Sequence, residues 1–375
     1  MKNEEYNVIC GHISGPKFPY QIGLSYELLT ARIKANKNEK FNLGLGCSGG
    51  NLVVHLINAS GGNPQKLLYF STFLESSLFL RKWIFPFIEI VPSVIGYIFY
   101  GSVYKEGHNG FEIFQEIYKN VEDDEQFEIW SGTYDVKNAR AQFFCNKSEN
   151  ESDVNRFFFN KDQELFCSKQ AIYCNNNKKK IYDSILASAS IPLIMKTQFI
   201  DGVEYADGGI MYSSPLSVFV KEIFRIVSGK HEKTIIGEDI EESEENYSIL
   251  LQNSFNSEKK LRLYYLMKSE TAISQSTNVF SSFIKGSSIL DCTSAINLLI
   301  MLCPEGIKTK KFNNINSSFL SNIILKYSSK KHYVMFLYPL GNLQLKLNNF
   351  KSKDVMKIIQ DCRNNYGCQI WYSIS

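Results

Sequence analysis

The stretch Phe41-Asn42-Leu43-Gly44-Leu45-Gly46-Cys47-Ser48-Gly49-Gly50-Asn51-Leu52-Val53-Val54-His55-Leu56-Ile57 reads as three pieces in succession. Phe41 to Leu45 is a short apolar run, a predicted strand, and Leu52 to Ile57 opens a predicted helix. Between them Gly46-Cys47-Ser48-Gly49-Gly50 has the form G-x-S-x-G. An elbow of this kind holds its serine on a sharp, strained bend, and glycines flank it because a Cβ there would strike the neighbouring strand and helix. The new helix also points its first amides at the serine, which favours a developing negative charge. Ser48 is therefore a candidate nucleophile.

Working outward, the chain alternates strand and helix, the pattern of an α/β domain with a parallel sheet. Tyr6 to Cys10 is a predicted strand ending at Gly11, followed by a loop with Gly15 and Pro16. Ile22, Tyr26, Leu29 and Ile33 then mark the buried face of a helix. Downstream, Phe127 to Trp130, Arg140 to Phe144, Ala295 to Leu302 and Tyr333 to Leu337 read as strands. Asn146 to Asp153 and Asn175 to Lys180 read as polar loops. A small-residue helix, Ile185 to Ser190, is stopped by Pro192, and a turn-rich segment leads to Asp207-Gly208-Gly209. Leu216 to Val227 and Lys351 to Gln360 are further predicted helices, and Glu238 to Glu245 is an acidic, solvated run. No Pro/Gly/Ser linker sets off a second domain.

The composition narrows the partners. Lys plus Arg number 41 against 38 Asp plus Glu, a net charge of +3, without the concentrated basic face that nucleic acid demands. Nine cysteines form no C-x-x-C pair, which argues against a zinc cluster or a thioredoxin-type site. The acidic start MKNEEYNVICGHISG lacks the basic and apolar regions of a signal peptide, so the expected setting is cytoplasmic, peripheral to membranes at most and not secreted. From Leu67 to Tyr100 the chain is dense in aromatic residues, but Glu75, Arg81, Lys82, Pro86, Glu89 and Pro92 break any membrane span. Two readings stand for this stretch: buried helices, or an interfacial segment with Trp83 beside Arg81 and Lys82.

A serine nucleophile needs a base. None of the five histidines (His12, His55, His108, His231 and His332) sits in a motif that marks a triad. A carboxylate touching Ser48 is the alternative, provided that burial raises its pKa toward a useful range. Asp207 qualifies because Gly208 and Gly209 let the chain turn sharply and carry it to the elbow; the plainer reading is a turn residue, since Asp-Gly is a common turn signal.

Three elements in order, Gly46 to Gly50, Ala189-Ser190-Ile191-Pro192 and Asp207-Gly208-Gly209, resemble the patatin-like phospholipases over about residues 7–216. The resemblance implies a three-layer α/β/α fold with a mostly parallel central sheet, residues 217–375 packing on the same fold. It also implies a Ser48–Asp207 dyad that cleaves acyl esters of phospholipids or related lipids, without metal or organic cofactor and with transient membrane-surface contact. The register set by Tyr20-Gln21-Ile22-Gly23-Leu24 places Lys17 at the basic position of the oxyanion loop and Gly15 at its last glycine. Ile13 and Ser14 stand where the family has glycines, Phe18 replaces a later one, and Pro16 has no amide. The amides of Ser14 and Gly15 remain as donors. Losing a donor costs about 10²–10³ in rate, which makes slow or lost activity an expected consequence. Two other readings stay open: an α/β-hydrolase triad using His231 or His332, and a lipid-binding module without catalysis.

Overall fold

Successive residues of the central strands enter two different apolar clusters, so both faces of the sheet must be covered. In the first strand Tyr6, Val8 and Cys10 belong to one cluster and Ile9 to the other. Further along the chain, Leu261, Leu263 and Tyr265 alternate with Tyr264 and Leu266 in the same way. This two-sided burial is what a parallel sheet between helical layers requires. The computed structural model describes residues 5–37, 40–76, 80–81, 105–106, 110–119, 121, 126–152, 154, 170–192, 195–212, 215–220, 260–269, 292–303, 305–346 and 350–374.

Strand β1 (Glu5–Gly11) leads through a 3-10 turn (Gly15–Lys17) to α1 (Phe18–Lys34), and β2 (Leu43–Cys47) leads to α2 (Gly49–Ala59). Then come α3 (Pro64–Ser71), the short β3 (Leu80–Arg81) and β4 (Lys105–Glu106), α4 (Gly110–Tyr118), β5 (Glu128–Asp135), β6 (Arg140–Cys145), β7 (Ile172–Tyr173) and α5 (Lys178–Ala189). The hairpin β8 (Gln198–Ile200) and β9 (Val203–Asp207) follows. The rest is β10 (Lys260–Leu266), β11 (Ile307–Ile315), α6 (Ser317–Tyr327), β12 (Tyr333–Pro339), α7 (Ser352–Asn364) and β13 (Tyr366–Ser373).

The main sheet runs β11-β13-β12-β10-β1-β2-β5-β6-β7, with β9 on β5 and β8 on β9. Its middle, from β12 through β10, β1 and β2 to β5, is parallel throughout, and antiparallel pairing is confined to the flanks, apart from the parallel edge pair β6–β7. Residues from α1 to α7 form the cluster on one face, while helical residues 215–220 and 292–302 cover the other. The result is the expected three-layer α/β/α fold. Strands β10, β12 and β13, from beyond residue 216, extend the same sheet directly beside β1.

Three expectations need correction. Residues 295–302 form a helix rather than a strand, because a short apolar run reads the same for either state; Ala295, Leu298 and Leu299 share its buried side. The loop expected up to Lys180 ends earlier, since the Asn177 side chain accepts the Lys180 N–H at 3.1 Å and starts α5 at Lys178. Ile33, placed on the buried face of α1, is 44% exposed, because Arg32 and Ala35 take the inward side of that turn. The aromatic stretch is described only at 67–76 and 80–81, so Phe79, Lys82, Trp83, Phe85, Phe87, Tyr97, Phe99 and Tyr100 lie outside the described residues, as do 221–227 and the run Glu238 to Glu245. No helix among the described residues is long and apolar enough to cross a membrane.

Candidate active site

The turn after β2 is held by backbone packed on backbone. A Cβ on Gly46 would lie 2.5 Å from Asn51 Cα, one on Gly50 2.4 Å from the His12 carbonyl oxygen, and one on Gly11 2.3 Å from the Gly50 carbonyl oxygen. Only glycine allows α2 to start this close to β1 and β2. The turn is completed by Ser48 at φ +55°, a left-handed conformation that costs a serine energy and is sustained by its surroundings. Part of that support is Ser188 on α5, whose hydroxyl accepts the Ser48 N–H at 3.0 Å and donates to the Gly132 carbonyl at 2.7 Å. Sequence reading passed over Ser188 as one of a run of small residues; its position directly before Ala189-Ser190-Ile191-Pro192 was the only signal.

Strand pairing explains why Asp207 arrives at Ser48. β2 pairs with β5 from Glu128 to Gly132, where Cys47 faces Gly132. The other edge of β5 belongs to β6, with Thr133 opposite Gln142. β9 therefore takes up the first edge where β2 leaves it, and Asp207 falls opposite Thr133, the position that Ser48 vacates by turning into α2. Ser48 Oγ donates to Asp207 Oδ2 at 2.8 Å. The other carboxylate oxygen accepts the Gly209 N–H at 2.7 Å and the Cys47 thiol at 3.9 Å. A Cβ on Gly208 would lie 2.7 Å from the Gly132 carbonyl oxygen, so this glycine too is required by close approach. Burial pushes the Asp207 carboxyl up to about 6, while the Gly209 N–H, the Ser48 hydroxyl and the Cys47 thiol act to lower it. A carboxylate so placed is ionised at neutral pH and still basic enough to take a proton.

The loop after β1 lies against this pair. A Cβ on Gly49 would sit 2.5 Å from Ser14 Oγ and 3.5 Å from the Gly15 amide nitrogen, and one on Gly209 would sit 3.3 Å from Ile13 Cγ2. Lys17, one turn on, is half-buried and makes no side-chain hydrogen bond or ion pair among the described residues; burial lowers its ammonium from the usual lysine value. The structure thus brings together Ser48, Asp207, Gly208, Gly209, Ser14 and Gly15 between Gly46 and Gly50, and leaves Lys17 at the margin.

Among the described residues, no histidine bonds to Ser48 or Asp207. His332 precedes β12 at the opposite end of the sheet from Ser48, where its Nδ1 accepts the Leu261 N–H at 3.1 Å. That placement removes it from the triad reading, and His231 lies outside the described residues. His55, on α2, is buried between the Tyr118 hydroxyl at 3.0 Å and Ser131 Oγ at 3.1 Å, and burial lowers it to about 3, a neutral structural bridge. His12 is held to about 3 by burial and by the charge of Lys268, its Nδ1 donating to the Ile13 carbonyl at 2.6 Å.

The family model described as patatin-like phospholipase matches residues 15–220, more than half of the 375-residue chain. Among solved structures, the chain is similar to VipD from Legionella pneumophila with a TM-score of 0.36 and 11% identity, covering 96% of this chain and 65% of that one. The chain therefore spans less than two thirds of the length of VipD. No curated protein matches the chain.

Proposed function

This chain belongs to the patatin-like phospholipase family, and on that premise we propose that it hydrolyses acyl esters of phospholipids or similar lipids with Ser48 as nucleophile and Asp207 as its base. Ser48 Oγ bonds to the ester carbonyl carbon as its proton passes to Asp207. The tetrahedral intermediate then expels the alcohol, which takes that proton. Water, deprotonated by the same carboxylate, releases the fatty acid and restores Ser48. The amides of Ser14 and Gly15 face the carbonyl oxygen, and the partly buried Lys17 adds positive potential behind them. The observation that carries this reading is the 2.8 Å hydrogen bond from a serine at φ +55° straight to a buried carboxylate.

The test is hydrolysis of p-nitrophenyl butyrate together with labelling by a fluorophosphonate probe. Ser48→Ala is expected to abolish labelling and to cut turnover at least about a thousandfold, with the melting temperature held. A variant that keeps a tenth of the wild-type rate removes Ser48 from the role. Wild-type protein that neither labels nor turns over, yet binds phospholipid vesicles, favours the lipid-binding module.

A further inference from the structure

Ser14 precedes the turn Gly15–Lys17, in the N-cap position where a serine side chain ordinarily accepts a backbone N–H from the turn it opens. It makes no such bond. The residue is only 4% exposed, and its Oγ has no hydrogen-bond partner among the described residues. A buried hydroxyl left unpaired is costly, and such groups in native proteins call for an explanation. Its direction supplies one. The place a Cβ would take on Gly49, the residue after the nucleophile, is 2.5 Å from Ser14 Oγ and 3.5 Å from the Gly15 amide nitrogen. Hydroxyl and amide converge on Gly49, the residue next to Ser48, whose own N–H is already given to Ser188. Pro16 contributes no amide to this loop.

We propose that the Ser14 hydroxyl is a catalytic oxyanion donor: it hydrogen-bonds the substrate carbonyl oxygen as that oxygen becomes an anion, alongside the Gly15 amide. This rests on Ser48 being the nucleophile. Ser14 keeps its proton throughout. Ser48 Oγ bonds to the carbonyl carbon, the C=O π pair moves to oxygen, the Ser48 proton goes to Asp207, and the Ser14 hydrogen bond strengthens as charge builds. The acceptor that the empty hydroxyl lacks arrives only with the substrate.

Ser14→Ala and Ser14→Gly separate the side chain from the backbone, because both keep the amide and lose the hydroxyl. On p-nitrophenyl butyrate, both are expected to lower kcat about a hundredfold with KM changed less than about twofold. Both are also expected to weaken binding of an alkyl trifluoromethyl ketone, which forms the same oxyanion, by a similar factor, and Ser14→Ala is expected not to lower the melting temperature. Unchanged kcat in both variants overturns the proposal. So does a fall in kcat that comes with a lower melting temperature and unchanged ketone affinity, which makes Ser14 structural. Fluorophosphonate labelling of wild type and Ser48→Ala is run alongside: labelling confined to wild type upholds the nucleophile whatever Ser14 does, and labelling of neither overturns both readings.

Discussion

Two loops leave neighbouring parallel strands at the same end of the sheet, and they treat glycine in opposite ways. After β2, Gly46 and Gly50 are fixed by backbone atoms 2.4–2.5 Å from where a Cβ would be, atoms that no rotamer change can move aside. After β1, Ile13 and Ser14 carry side chains, and Gly15 has nothing within 4 Å of its missing Cβ; it is kept only by φ +47°. Glycine is irreplaceable where two backbones touch. Where the backbone stands clear of its neighbours, as at Gly15, no such contact forbids a side chain.

The largest effect expected on the elbow side is at its partner carboxylate. Asp207→Asn still accepts the Gly209 N–H but cannot take the Ser48 proton, so activity is expected to fall about a thousandfold or more. In the wild type, kcat/KM is expected to rise with pH through about 6, where Asp207 ionises. The same shift has a consequence for stability. The folded carboxyl sits above its ordinary 3.8, so the fold favours the protonated form, and stability is lost as pH rises from about 4 through about 6. Asparagine escapes that cost, roughly 3 kcal/mol. The variant's gain in melting temperature should appear above pH 6 and vanish below pH 4. A gain independent of pH places the effect elsewhere than in burial of the charge.

Gly50→Ala is the direct challenge to the elbow, with its Cβ 2.4 Å from a carbonyl oxygen. It is expected to cost about 4 kcal/mol or more in chemical denaturation. Next comes Ser188→Ala, which leaves the buried Ser48 N–H without its acceptor. A loss of about 1–3 kcal/mol and a fall in kcat of about tenfold are expected, with the acid limb of the pH profile moved upward as the Ser48–Asp207 bond loosens. Gly15→Ala is the smallest in stability, about 1 kcal/mol for the left-handed φ. Should it damage folding as much as Gly50→Ala, the contrast between the two loops is wrong.

The amino-acid sequence by itself determined what depends on neighbours along the chain. The elbow was legible because a strand, a G-x-S-x-G and a helix follow one another within Phe41 to Ile57, and the steric demand for glycine there is local. The burial of Ile22, Tyr26 and Leu29, the strands at β1, β2 and β12, and the turn at Asp207-Gly208-Gly209 were legible on the same ground. Tertiary structure alone decided what depends on register across the sheet. β9 takes the edge of β5 that β2 leaves, and this sets Asp207 against Ser48; no spacing between residues 48 and 207 encodes it. Ser188 became a brace, His332 went to the far end of the sheet, and residues 295–302 became a helix, each because its partners lie tens to hundreds of residues away. Short apolar or small-residue runs carry no period long enough to announce such roles, since burial and hydrogen-bond partners are fixed only when the layers close over the sheet.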